Sequence, residues 1–260
     1  MSEDQEMTTP SSRKRGPLRS GLGFVGEVAI AGVIALVLTA LLRIFVFQIF
    51  EVPSGSMENT LKQGDRITAM RMVDHQRGDV IVFEDPNGQW MGPQPAQTNA
   101  VRGALERIGL LPDSSKGYLV KRIIGLPGDH VVCCNQNGNI TVNDVELVEE
   151  YLYTDSTGTM VDPSDTPFDV IVPVNSLFVM GDHRDRSGDS RLHLCQTPVS
   201  GSPPGSMGFV PTDNVVGPVK AIILPFDRMT TLKTPSGFAG VPDAGEAPAA
   251  PVLGEGTCSR

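Results

Sequence analysis

The chain has 260 residues, with 21 Lys and Arg against 30 Asp and Glu, a formal charge of −9 at pH 7 and 40% hydrophobic residues. That length holds one medium or two small domains with a real core, and the acidic balance argues against the phosphate-tracking electrostatics of a nucleic-acid binder. Four cysteines are too few for a dense disulfide scaffold or a multi-zinc array.

In chain order, residues 1–20 are polar and basic, with Arg13, Lys14, Arg15 and Arg19 among Ser, Thr and Pro, the composition of a disordered tail. The apolar run that follows reaches from Val28 to Phe50 and is broken by Arg43 and Gln48. About 20 apolar residues cross a bilayer at 1.5 Å per residue, so residues 24–50 are expected to form a transmembrane helix with its basic flank in the cytoplasm. A cleaved signal peptide fits less well, because Arg43-Ile44-Phe45-Val46-Phe47 is bulky where a cleavage site needs small residues. A buried core helix would show a polar stripe, and none is present.

Beyond residue 51 the period shortens. Runs at 66–70, 79–83, 119–124, 130–132, 140–142, 176–180 and 219–223 alternate and are bounded by Gly, Pro, Asp or Asn, which predicts short strands. Without helical periods between them, the expected fold is mostly β, an antiparallel coiled-sheet or barrel-like domain. Residues 85–117, rich in Pro, Gly, Gln and Ser with a short helix near Arg102 to Leu110, are read as a surface insertion. Residues 151–170 and 196–208 read as loops. The end of the chain, 235–260, is dominated by Pro, Gly and Ala and is expected to be disordered. The organisation is thus a cytoplasmic basic tail over 1–23, a transmembrane helix over 24–50, an extracytoplasmic β domain over 51–234 and a disordered tail over 235–260.

Three segments carry chemistry. In Glu51-Val52-Pro53-Ser54-Gly55-Ser56-Met57 a stiff proline and a permissive glycine can present the Ser56 hydroxyl on a tight turn; a plain turn is the alternative. Lys121 is a charged residue in the apolar run Leu119 to Ile124. Pointing inward it would lose hydration, its pKa would fall and it would become a general base at neutral pH; on the solvent face of an edge strand it would have no such role. The third segment, Met180 to Arg191, is a dense polar loop in which Asp189 and Arg191 form a natural pair. A calcium loop is the weaker reading, since Arg184, Arg186 and Arg191 oppose a cation.

Together these segments resemble the bacterial type I signal peptidase family, membrane-anchored Ser/Lys endopeptidases. The motifs are Pro-Ser-x-Ser-Met close after an apolar helix, Gly64-Asp65-Arg66-Ile67, the run Lys121 to Asp129, and Gly181-Asp182-x-Arg184-Asp185-x-Ser187-x-Asp189-Ser190-Arg191. The resemblance implies Ser56 as nucleophile and Lys121 as general base, with an oxyanion hole from the Ser54 hydroxyl and the Ser56 N–H. It further implies that Ser187 hydrogen-bonds the lysine, that Asp189 and Arg191 form a supporting ion pair, and that Gly181 leaves room a side chain would crowd. No metal or other cofactor is implied. The implied partners are secretory preproteins cut after an Ala-x-Ala-like site, the lipid bilayer and, as a candidate, the translocon; nucleic acid is not among them. Asn59 stands where the family more often has proline, a change expected to loosen the turn. Self-cleaving Ser/Lys repressors share the catalytic fold but carry a DNA-binding module here replaced by an apolar run; a non-catalytic anchored β domain is the other alternative.

His183 near Asp182 and His193 near Asp189 raise a Ser-His-Asp arrangement, which the matched lysine makes unnecessary; no role is assigned to any histidine. In an oxidising compartment Cys195 is expected to pair with Cys133 or Cys134. Ala247-Pro248-Ala249 in the tail is a candidate self-cleavage site.

Overall fold

The computed structural model describes residues 17–92, 116–198 and 201–258, together with 99, 103, 104, 106 and 113. The basic segment 1–16 and most of the expected helix near Arg102 to Leu110 lie outside the described residues. Two compact units are present, Met1–Leu42 and Arg43–Arg260.

The first unit contains most of helix α1 (Pro17–Phe45), whose side chains are described over 24–39 and are all exposed, Phe24, Ile30, Val33 and Leu36 among them. Among the described residues no helix is long and apolar enough to cross a membrane. The bounds differ from the expected 24–50. Helix gives way at Phe45, and Phe47–Glu51 is strand β1. Aromatic and β-branched residues there fit a pleated surface, Pro53 follows closely, and a partner strand is available. Phe50 is consequently buried in the second unit's core.

That unit is mostly β. In chain order β1 is followed by β2 (Arg66–Met70), β3 (Val80–Glu84), β4 (Tyr118–Gly125), β5 (His130–Cys133), β6 (Thr141–Val142) and β7 (Val145–Glu146). Then come β8 (Phe168–Ile171), β9 (Ser176–Met180), the short helix α2 (Ser190–Leu194), β10 (Val210–Pro211), β11 (Val215–Leu224), β12 (Thr230–Thr231) and β13 (Val252–Leu253). All pairings among the described residues are antiparallel. One sheet runs β1-β2-β11-β3-β4-β9-β10, with β12 on β11, and the other runs β13-β8-β5-β6-β7.

The long strand β11 joins two parts of the larger sheet, pairing with β3 through Val215 to Pro218 and with β2 through Val219 to Leu224. The switch falls at Gly217-Pro218, where the missing proline N–H is not needed by a ladder. Gly217, at φ 155°, lets the chain pass so close to β2 that a Cβ would lie 2.1 Å from the Met70 carbonyl oxygen. One core, with Phe50, Val52, Met57, Leu61, Ile67 and Val120, lies beneath the segment that carries Ser56. A second, with Phe168, Val170, Phe178 and Phe209, includes residues from both sheets.

The end of the chain corrects the expectation of disorder. Phe238 is buried and stacks on Tyr151 at 6.1 Å, the Val174 N–H donates to the Pro248 carbonyl at 2.9 Å, and β13 pairs with β8. Gly128 is approached so closely that a Cβ there would sit 2.2 Å from the Gly245 carbonyl oxygen. Pro, Gly and Ala here form a strap held by backbone bonds rather than by a large apolar surface, which composition does not reveal. The Ala247-Pro248-Ala249 triplet belongs to this strap and is not presented as a free substrate.

The cysteines also differ from expectation. Cys195 pairs with Cys258, and Cys133 with Cys134. Cys258, in the segment expected to be disordered, is brought to Cys195 by β13. The Cys195–Cys258 crosslink joins positions 63 apart, a separation for which loop-closure entropy supplies about 4 kcal/mol. Replacing both residues by serine should lower the free energy of unfolding by about that amount, read as a drop in the urea midpoint with an intact fold by circular dichroism.

Candidate active site

Ser56 sits in a single 3-10 turn, Gly55–Met57, entered through Ser54 in an extended conformation. Both ends of the turn are fixed by burial and by backbone bonds. Met57 and Leu61 are buried in the core below, the Val52 N–H donates to the Asp65 carbonyl at 2.9 Å, and the Gly64 N–H donates to the Val52 carbonyl at 3.0 Å. Asn59 does not loosen this turn. Its φ of 87° is closed to proline, and its side-chain amide donates to the Tyr151 and Leu152 carbonyls at 3.2 and 3.1 Å. The Ser56 amide lies in the first turn of a helical segment, where N–H groups have no acceptor within the helix.

Lys121 lies in the middle of β4, and strand alternation puts it on the same face as Leu119 and Ile123. Ile81 of β3 is its direct cross-strand partner. Ile81 and Ile123 are fully buried, and Lys121 itself is 3% exposed. Its ammonium has lost its water, so burial pushes the pKa down from the ordinary 10.5 to about 8, against the pull of Asp189 and Asp182 and with the help of Arg191. The amine donates to the Ser56 hydroxyl oxygen at 2.5 Å. The Ser54 hydroxyl donates to the same oxygen at 3.4 Å.

The loop after β9 closes the site from the other side. Its ends are tied together: the Val179 N–H donates to the Ser190 hydroxyl at 2.9 Å and the Gly181 N–H to the Asp189 carboxylate at 3.0 Å. Asp189 also caps α2 and receives two 2.9 Å bonds from the Arg191 guanidinium. Burial alone would raise the Asp189 pKa, but Arg191 and the Gly181 amide outweigh it and hold the carboxyl below its usual range. A Cβ at Gly181 would lie 2.3 Å from the Ser187 hydroxyl oxygen and 2.5 Å from the Ser56 carbonyl oxygen, so only glycine lets the loop and the Ser56 turn touch. The His183 N–H donates to that Ser56 carbonyl at 3.0 Å.

Beneath this contact the second acidic group of the loop, Asp182, is held by Arg122 at 2.8 and 2.6 Å and by the Thr60 hydroxyl at 2.5 Å. Arg122 also lies over the Tyr151 ring at 4.0 Å. Arg184 bonds to the Gly181 carbonyl at 2.9 Å and pairs with Glu149.

Ser56 and Lys121 open onto a groove of about 350 Å³ bordered by Val52, Ser54, Met57, Met91, Tyr118 and Val120. One edge of β4 is paired with β3 from Tyr118 to Arg122, whereas β9 pairs with β4 only from Arg122 onward. Among the described residues, Tyr118 to Lys121 has no strand along its second edge.

Six of the seven residues singled out from sequence meet here as direct contacts: Ser54, Ser56, Lys121, Gly181, Asp189 and Arg191. Ser187 differs from expectation. Its hydroxyl is buried against Gly181 and makes no well-formed hydrogen bond among the described protein atoms, only a loose approach to the Asp189 carboxylate, and the Lys121 amine is bonded to Ser56 instead. Sequence reasoning weighed His183 only for a Ser-His-Asp arrangement and assigned it no role; its ring stacks on Tyr153 at 3.8 Å and bonds Glu58 at 3.0 Å next to the Ser56 turn. Its position beside Asp182 was the available signal, but a loop histidine is ordinarily solvated. Also missed were Thr60 and Glu149, for which no local pattern announces a buried partner. Among the described residues no group of three or more His, Cys, Asp or Glu could hold a metal.

Comparison with known proteins defines the class, a peptidase. The family described as signal peptidase, peptidase S26, matches residues 25–224, and the chain belongs to that family. A signal peptidase I of Mycobacterium tuberculosis is 36% identical over 86% of this chain and 79% of its own length. One of Bacillus amyloliquefaciens is 28% identical over 90% of this chain and all of its own. A crystal structure of a signal peptidase I from Enterococcus faecalis V583 is 24% identical with a TM-score of 0.35, covering 56% of this chain and 97% of that one.

The burial of Lys121 opposes folding. At pH 7 the depressed pKa corresponds to about 3 kcal/mol of lost stability, because each pKa unit is about 1.4 kcal/mol. Lys121→Met should therefore raise the unfolding free energy at pH 7 by an amount on this order. Between about pH 8 and 10.5 the unfolded chain holds the lysine proton and the folded chain does not, so the parent's stability rises with pH and the gap to the variant closes. Denaturant melts across pH 7–10.5 measure both.

Proposed function

We propose that the protein is a membrane-anchored serine endopeptidase that removes signal peptides from secretory preproteins through a Ser56/Lys121 dyad. The observation that carries this reading is the 2.5 Å contact between the Ser56 hydroxyl and a buried amine whose pKa is lowered to about 8. Its family membership and the names of its relatives supply the substrate class.

In the first step the Ser56 oxygen attacks the scissile carbonyl carbon while its proton passes to Lys121 Nζ. Negative charge on the carbonyl oxygen is met by the Ser56 N–H and the Ser54 hydroxyl. Collapse breaks the carbon–nitrogen bond as Lys121 returns the proton to the leaving amine, leaving an ester on Ser56. Lys121, neutral again, takes a proton from a water that attacks the ester; the carboxylic acid leaves and Ser56 recovers its hydrogen. The Ser187 hydroxyl, buried nearby, holds the amine when Ser56 is acylated, and the Asp189–Arg191 pair keeps that loop in place.

An extended peptide adds along Tyr118 to Lys121, taking backbone bonds from the unpaired edge, and the narrow groove selects small residues at the first and third positions before the cut. The exposed apolar residues of α1 are the anchor, entering the bilayer with Arg13, Lys14, Arg15 and Arg19 on the cytoplasmic side. The β unit then works at the outer face, where the translocon delivers its substrates.

Ser56→Ala and Lys121→Met should each lower kcat/KM for an Ala-x-Ala preprotein assayed in detergent by at least about 1,000-fold. The parent's kcat/KM should rise with pH through about 8 and level off above it, because only the neutral amine accepts the serine proton. Full cleavage by either variant would refute the mechanism.

A further inference from the structure

The insertion between β3 and β4 begins with a built turn, not a loose loop. Both carboxylate oxygens of Asp85, itself buried, accept backbone N–H bonds at 2.8 Å, one from Trp90 and one from Met91. The Trp90 indole N–H donates to the Met207 carbonyl at 3.0 Å. Its ring stacks on His193 of α2 at 4.4 Å and meets Phe83 edge-on at 5.7 Å. Bonds and ring contacts on several sides thus immobilise residue 90 and the backbone of residue 91. What this turn delivers is the Met91 side chain, 39% exposed, to the border of the groove that holds Ser56 and Lys121.

The placement has a scale. Glu84 faces Tyr118 at the last pair of the β3–β4 ladder, so the insertion leaves the sheet at the Tyr118 end of the groove. Tyr118 is three residues from Lys121 along β4, roughly 10 Å at 3.3 Å per residue. A peptide lying along that edge would bring to this end the side chain two or three residues from its scissile bond. An unbranched thioether there limits the room without a fixed shape.

We propose that Met91 is a specificity-determining residue, a wall supplied by the insertion that restricts the substrate side chain at the third position before the cut. The proposal rests on the endopeptidase reading above. It also explains why the start of the 85–117 insertion is so firmly held, since Asp85 and Trp90 are positioning residues for the wall and Met91 is the surface that meets the substrate.

The test compares the parent and Met91→Ala on three peptides that carry Ala, Val or Leu at the third position before the cut. Each peptide is also titrated against both proteins in a Ser56→Ala background, where binding is read without cleavage. Removing the side chain should raise the Leu-to-Ala ratio of kcat/KM, and the matching ratio of binding constants, by about 10-fold or more, the scale at which pocket size discriminates. A Met91→Trp variant should move both ratios the other way. Ratios equal to the parent's in cleavage and binding would overturn the proposal. If the parent cleaved none of the peptides, the endopeptidase reading would fall, while the binding ratios would still decide whether Met91 limits the groove.

Discussion

One constraint organises the site: an amine must be dry enough to shed its proton yet close enough to a hydroxyl to take another. Lys121 meets the first condition because Ile81 and Ile123, both fully buried, share its face of the sheet. It meets the second because the Ser56 turn is pressed onto it from one side by Met57 and Leu61 and from the other by the loop after β9. Two carboxylates of that loop oppose the arrangement, since Asp182 and Asp189 both favour a charged lysine. Each is neutralised by its own arginine, Arg122 and Arg191, within 2.9 Å. The ion pairs therefore do more than fasten the loop. They keep two buried negative charges from undoing the fall in pKa that the hydrophobic wall produces.

The same logic accounts for the glycine and the cap. At Gly181 the loop packs directly on the Ser56 backbone, and a methyl group would collide with Ser187 and with the Ser56 carbonyl. Asp189 caps α2, receives the Gly181 amide and grips Arg191, so one side chain fixes both ends of the loop. Stability is surrendered at Lys121 and recovered in the sheet, the tail strap and the Cys195–Cys258 crosslink.

Much of this was legible in the sequence, for reasons that also explain the failures. Short apolar runs bounded by turn residues announced β2, β4, β9 and most of β3, even though β3, β4 and β9 are buried on both faces, whereas β8, with one face buried, fell in a segment read as loop. The two-residue strands β7, β10, β12 and β13 carry no period to read. Strand β1 was hidden inside a continuous apolar run, since the chain passes from helix to core strand with only Arg43 and Gln48 as punctuation. The tail was misread because its order comes from backbone pairing and from a cysteine whose partner is 63 positions away. At the site, Ser56 and Lys121 could be singled out by the residues around them. The resemblance implied a bond from Ser187 to the lysine that the structure does not show, since which hydroxyl the amine faces depends on packing. Asn59 shows the limit most plainly: read as a looser substitute for proline, it occupies a left-handed conformation that proline cannot adopt and bonds two carbonyls about 90 residues away.

The central claim is the lowered pKa of Lys121, and it is open to direct observation. Selective carbon-13 labelling of lysine side chains, with the Lys121 signal assigned by its absence from the Lys121→Met spectrum, allows its ionisation to be followed by NMR in the intact detergent-solubilised protein. The account predicts a midpoint near pH 8. A Lys121 signal that titrates near the ordinary 10.5 would contradict it.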